Sequence, residues 1–239
     1  MNIILLKESD FDRAGRVILS GRRAAHIIST IKPRIGEELS CGAVNGNLGK
    51  GLITDMTGSL VKMEVSLDRP PPAPLPLTLV LALPRPKMLG RIMESASALG
   101  VKSIYLVNSW RVEKSFWQSP ALSESRLEKV LYSGLEQAGD SLMPRVHKRR
   151  FFTDFVKKEL PDIAGGTLRI AAHPGTKERF PVGVENPVTC VVGPEGGFID
   201  IEIKTLEEQG FRAATLGNRI LRVETAVPFI VSRLFSHLF

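Results

Sequence analysis

The chain has 239 residues, 43% of them hydrophobic and 24% charged, the make-up of a soluble globular protein with one large or two modest domains. No apolar run approaches bilayer length and no signal-peptide pattern opens the sequence; the only two cysteines, Cys41 and Cys190, sit far apart in apolar runs. A membrane span and a disulfide framework are excluded, and buried free thiols in a reducing cytoplasm are expected. A net charge of +7 permits a polyanionic partner, and four scattered histidines give no metal-ligand spacing, so no metal is expected.

Residues 1–69 read as short strands around one helix. Strands are expected over 3–6 and 16–19, followed by a helix over 22–28 that Pro33 ends, with Gly36 in a turn. Further strands at 39–44, 51–55 and 60–67 are split by Asn45-Gly46-Asn47 and Thr57-Gly58 turns, a spacing that suggests a small β-barrel. Arg22, Arg23, Lys32 and Arg34 lie close together in the helical region. Charge alone favours a solvated helix face over the sharper alternative, a phosphate-contacting patch on a nucleic-acid-binding module.

Residues 70–76 hold five prolines in seven positions and read as a stiff polyproline spacer between two domains. Beyond them an apolar strand (77–83), a helix (88–99) closed by Gly100 and a strand (104–107) form a strand–helix–strand unit, the mark of an α/β domain with a mainly parallel sheet. The loop at 109–119 mixes Arg111 and Lys114 with Trp110 and Trp117; cations among aromatics can grip RNA, although a packed minicore is the commoner use. A helix follows over 123–138, then a cationic edge strand at 145–150, a short helix from 153 to 160 and a strand at 168–172.

The C-terminal third contains three strands that each run into a turn: His173-Pro174-Gly175, Gly193 to Phe198, and Leu216 to Arg222. The second follows the apolar run 188–192, carries three glycines in five residues and feeds a helix opened by Asp200. A last helix is expected over 224–238. Open α/β sheets hold ligands at such strand ends. No dinucleotide fingerprint, phosphate loop or serine elbow is present, so nothing points to hydride transfer, phosphoryl transfer or serine hydrolysis.

GPEGGF at 193–198 followed by LGNRILRVETA at 216–226 resembles the small-subunit ribosomal RNA methyltransferase E family, and the resemblance extends to His173-Pro174, to Glu136-Gln137 and to the front barrel. It implies a SPOUT-type α/β domain with a C-terminal trefoil knot over 77–239, preceded by a PUA-like RNA-binding barrel over 1–69. It further implies methylation of uracil N3 at the uridine numbered 1498 of 16S rRNA, with S-adenosylmethionine as donor, by a homodimer joined through the knot. Carried over by position, His173, Gly193, Glu195, Gly196, Leu216, Gly217, Ile220 and Leu221 are expected around the cofactor. Glycines admit close backbone contact, and the leucines and isoleucine supply an apolar wall. Glu195 and Glu224 are the candidate bases for removing the N3 proton, and Arg222 is the candidate stabiliser of charge on the uracil oxygens. Glu224 has an equally good structural explanation in the first turn of a helix. Arg22, Arg23, Lys32, Arg34 and Arg111 are the expected RNA contacts.

Several positions depart from the family pattern. Val223 stands where a threonine is usual, Asp140 where an arginine is common, and Glu94-Ser95 where Gln-Lys is frequent; Arg85-Pro86-Lys87-Met88 matches the usual helix start only loosely. Two rival readings follow: a ribose 2′-O-methyltransferase of the same superfamily, and a ribosome-assembly factor that keeps the fold without chemistry.

Overall fold

A computed structural model of the chain describes residues 2–238. Its internal contacts divide it into two units, Met1–Ala73 with Tyr132–Met143, and Pro74–Leu131 with Pro144–Phe239. The division moves residues 132–143 out of the second domain expected from sequence and into the first unit.

In the first unit, β1 (Ile4–Leu6), β2 (Val17–Leu19), α1 (Gly21–His26), β3 (Glu38–Ala43), β4 (Leu48–Thr57) and β5 (Leu60–Arg69) succeed one another. The strands form one sheet in the order β1-β3-β4-β5-β2, with β1 parallel to β3 and the other neighbours antiparallel. Period-2 alternation is plain in β5, where Val61 and Met63 are buried and Lys62 and Glu64 face out. The inward residues meet Leu6, Leu19, Ala24, Ile27 and Ile53 in one core. Where the β4–β5 register slips, a Cβ on Gly49 would lie 1.8 Å from the Ser66 carbonyl oxygen, so only glycine fits. Beyond α1 the helix widens into a π turn at Ile27–Ile31 and stops at Lys32 in the left-handed region, one residue before the proline expected to end it.

The second unit carries β6 (Leu77–Ala82), α2 (Pro86–Ala98), β7 (Ser103–Val107), α3 (Glu124–Ala138, whose last seven residues belong to the first unit), β8 (Arg145–Arg149), α4 (Phe152–Asp154), α5 (Leu160–Ile163), β9 (Leu168–Ala172), β10 (Val188–Val192), α6 (Asp200–Glu208), β11 (Arg212–Ala214) and α7 (Val223–Leu234). A π turn at Phe155–Glu159 joins α4 to α5. The sheet order is β11-β9-β10-β6-β7-β8, and every pairing is parallel. All five residues of β10 are buried, as a central strand covered on both faces requires. The chain lays down β6, β7 and β8 in one direction, then crosses to β9 and returns to insert β10 between β9 and β6. That reversal brings several loops together at the carboxyl ends of the strands. The proline-rich stretch is a free spacer only in its first half, because the Leu75 amide donates to the Gly100 carbonyl and Pro76 accepts from the Val188 amide.

Candidate active site at the carboxyl ends of the strands

A cavity of about 210 Å³ opens beyond β9, β10 and β11. Seven of the eight residues expected around a cofactor line it: His173, Gly193, Glu195, Gly196, Leu216, Ile220 and Leu221. The eighth, Gly217, lies outside the lining but shapes it, with φ 139° in a turn that the Thr215 hydroxyl closes by donating to the Gly217 carbonyl at 3.0 Å. Val192, Val223 and Ala226 extend the apolar wall, so the departure at Val223 places a buried isopropyl group against the cavity where the family usually has a hydroxyl.

The glycine-rich loop is built by its own packing. Its turn closes with the Gly197 amide donating to the Pro194 carbonyl at 2.8 Å, and Gly197 takes φ +72°, a conformation that suits glycine. The space a side chain would need at Gly193 is taken by the Phe198 ring at 3.2 Å, and at Gly196 by Arg111 at 3.0 Å. Phe198 is buried and packs on Phe152 with centroids 5.7 Å apart, pinning the loop's end. These two glycines therefore serve internal close packing, in addition to any approach of a ligand.

Glu195 Oε1 accepts from the Arg85 amide at 2.9 Å, joining this loop to the start of α2. Arg222 is the N-terminal flanking residue of α7 and points outward, with its side chain 85% exposed; its guanidinium lies 4.0 Å from Glu224 in the helix's first turn. Neither Arg222 nor Glu224 lines the cavity, whereas Glu195 does. His173 supplies the one orphan here: its Nδ1 is buried with no hydrogen-bond partner, which marks a place where a polar ligand atom would be welcome.

The cations expected on RNA divide into two groups. Arg22, Lys32 and Arg34 are exposed in the first unit, although Arg22 also donates to the buried Glu136 at 3.2 Å. Arg23 is engaged within the unit: its guanidinium donates to both Asp10 oxygens, at 2.5 and 2.6 Å, and to the Leu5 carbonyl at 2.7 Å, so it ties α1 to the first strand. Arg111 is likewise engaged, donating to the Gly196 carbonyl. Asp140 is buried and accepts from the Leu142 amide at 2.9 Å, a turn-forming use that an arginine could not supply.

One residue of the site was not legible in the sequence. Glu202, buried in α6, accepts from the Trp110 amide at 2.8 Å and from the Ile199 amide at 3.1 Å, and so joins the loop after β7 to the end of the glycine-rich loop. Its place three residues into the helix is the one available signal, since a glutamate there commonly reaches back to the preceding backbone.

Residues 71–235 match the family model for an RNA methyltransferase domain. A ribosomal RNA small subunit methyltransferase E of Treponema pallidum is 30% identical over 233 residues, spanning 95% of this chain and 87% of its own. The chain belongs to the ribosomal RNA small subunit methyltransferase E family. Solved structures place this family member's fold in the same group. A Legionella pneumophila protein solved with the bound cofactor SAM superposes with a TM-score of 0.75 at 22% identity, covering 97% of this chain and 95% of its own. A ribosomal RNA small subunit methyltransferase E of Neisseria gonorrhoeae bound to S-adenosyl methionine gives 0.75 at 21% identity with the same coverage.

Proposed function

We propose that this chain transfers a methyl group from S-adenosylmethionine to N3 of a uridine in 16S rRNA, the position numbered 1498. The cavity beyond β9, β10 and β11 carries the reading: it gathers seven residues that the family resemblance assigns to the cofactor. Solved relatives of the same fold hold this donor, and the residues present fit it. Leu216, Ile220 and Leu221 face it with an apolar wall, the 193–197 turn brings backbone close, and His173 Nδ1 offers an unused polar contact. When bound, the donor supplies an electrophilic methyl group on a sulfonium.

The chain's own residues have the remaining tasks. Uracil N3 must lose its proton as the methyl arrives, and negative charge grows on the flanking oxygens. Glu195 is the candidate base with access to the cavity, held in place by the Arg85 amide. Arg222, at the exposed start of α7 with Glu224 4.0 Å away, is the candidate for meeting the developing charge once the RNA is bound. Glu224 is the less suitable base, because it lies outside the cavity lining that Glu195 belongs to.

In the same reading, the C-terminal part of the α/β unit forms a trefoil knot, and the first unit is a PUA-like module that offers Arg22, Lys32 and Arg34 to RNA phosphates. The working form is a cytoplasmic homodimer joined through the knot. Isothermal titration with S-adenosylmethionine, paired with methyl transfer to small ribosomal subunits, tests the reading. Binding with turnover is expected; neither binding nor turnover would leave an assembly factor without chemistry.

A further inference from the structure

A second cavity, of about 580 Å³, lies on the same carboxyl edge of the sheet, beyond β7 and β8. The glycine-rich loop divides the two: residues 192–197 line the first, and Ile199, Ile201 and Glu202 contribute to the second. Three features of the second cavity go unused by anything described so far.

The first is exposed aromatic surface. Trp110 is 78% exposed and Phe151 is 73% exposed, both on the cavity lining. Trp110 is not loose, because Glu202 fixes its amide; its backbone is held while its ring stands in solvent. The chain's other tryptophan behaves differently. Trp117 donates its indole N–H to Asn108 Oδ1 at 2.8 Å and lies under the Arg150 guanidinium at 5.6 Å, a packed arrangement. Contiguous exposed apolar surface rimmed by polar groups marks a binding site.

The second is a buried orphan. Ser109 is 2% exposed, lines the cavity, and its Oγ has no hydrogen-bond partner. A hydroxyl left unpaired in the interior is costly unless a ligand completes it. The third is charge. Arg150 and Lys157 are exposed on the lining, while the nearby carboxylates are engaged, Asp154 with Lys158 at 2.8 Å and Glu202 with its two amides.

We propose that this cavity takes an unstacked nucleobase of the RNA substrate that flanks the methylated one. The base stacks on the exposed Trp110 and Phe151 rings, turns a polar edge to Ser109 and leaves its phosphate to Arg150 and Lys157. The proposal rests on the reading of the chain as an RNA methyltransferase and adds a second, non-reacting subsite to it.

The test uses the full chain with Trp110→Ala and Trp110→Phe. Trp110→Ala should raise KM for small subunits about tenfold while leaving kcat, affinity for S-adenosylmethionine and melting temperature unchanged. Trp110→Phe should restore most of the loss, because a ring of any kind can stack. An unchanged KM for RNA in Trp110→Ala would overturn the proposal. So would conversion of a dimer to a monomer in sedimentation, since the face would then be a subunit contact. Binding of a short single-stranded RNA, read by quenching of Trp110 fluorescence against the Trp110→Phe control, gives a second readout. If the wild type methylates nothing yet the quenching persists, the assigned reaction fails and the base subsite stands.

Discussion

Replacing Glu202 with alanine should loosen both loops that frame the strand ends at once. The carboxylate is buried and accepts from two backbone amides, at 2.8 and 3.1 Å. A hydrogen bond to a charged group contributes about 1.5–3 kcal/mol, and truncation leaves the Trp110 and Ile199 amides without their acceptor. The loss should be about 3 kcal/mol or more, after allowing for water reaching the half-exposed Ile199. In a unit of this size each kcal/mol lowers the melting temperature by roughly 2–4 °C, so circular dichroism should show a fall of about 6–12 °C. Glu202→Gln keeps one acceptor oxygen and should lose about half as much. Because Ile199 directly follows the glycine-rich loop, affinity for S-adenosylmethionine should weaken in parallel with stability. A fall below about 2 °C in Glu202→Ala, or a glutamine variant as unstable as the alanine one, would refute the bridging role.

Other consequences are equally open to measurement. Arg222→Ala should leave cofactor binding intact and slow methyl transfer about a hundredfold; lost cofactor binding with normal turnover at saturation would sink the assignment. Burial pushes the Cys190 thiol up to about 12 and the Cys41 thiol to about 11, so neither should react with a thiol reagent near about pH 8 until guanidinium chloride unfolds the chain. Early reaction of either thiol would contradict its burial. Burial first, then the Arg149 and Arg145 charges, hold His147 below its ordinary 6.5, with Glu159 partly opposing. The folded state therefore prefers the neutral ring, and its stability contribution is present above about 6.5 and lost as pH falls through the lower folded value. The melting temperature should drop less on acidification in His147→Gln than in the wild type; equal drops would remove His147 as a cause.

Strands with a single environment were the most legible parts of the chain. The run at 188–192 became β10 without a shift, because a strand buried along its whole length shows as an unbroken core segment; β9 also matched at 168–172, although it carries the half-buried Arg169. Seven of the eight positions that the family resemblance assigns to the cofactor line one cavity, a gathering carried by the paired GPEGGF and LGNRILRVETA motifs and not by local propensity. Cations were not legible. A guanidinium's destination depends on which acceptor the fold brings near: Arg23 finds Asp10, 13 positions away, and Arg111 finds the Gly196 carbonyl, 85 positions away. No local pattern encodes either meeting. The π turns at Ile27–Ile31 and Phe155–Glu159 were also hidden, because one extra residue in a turn does not alter hydrophobic spacing enough to register. Residues 132–138 continue α3 with no break in its apolar stripe, so only tertiary packing, with Leu135 against Ile3, Leu5 and Leu48, assigns them to the first unit.

The most direct test transfers a labelled methyl group from S-adenosylmethionine to small ribosomal subunits and maps the product by mass spectrometry of digested rRNA. The account predicts one methyl on the base of a 16S rRNA uridine, at N3. A methyl on ribose would keep the donor site and overturn the assigned acceptor chemistry, and no transfer to any RNA would contradict the central claim.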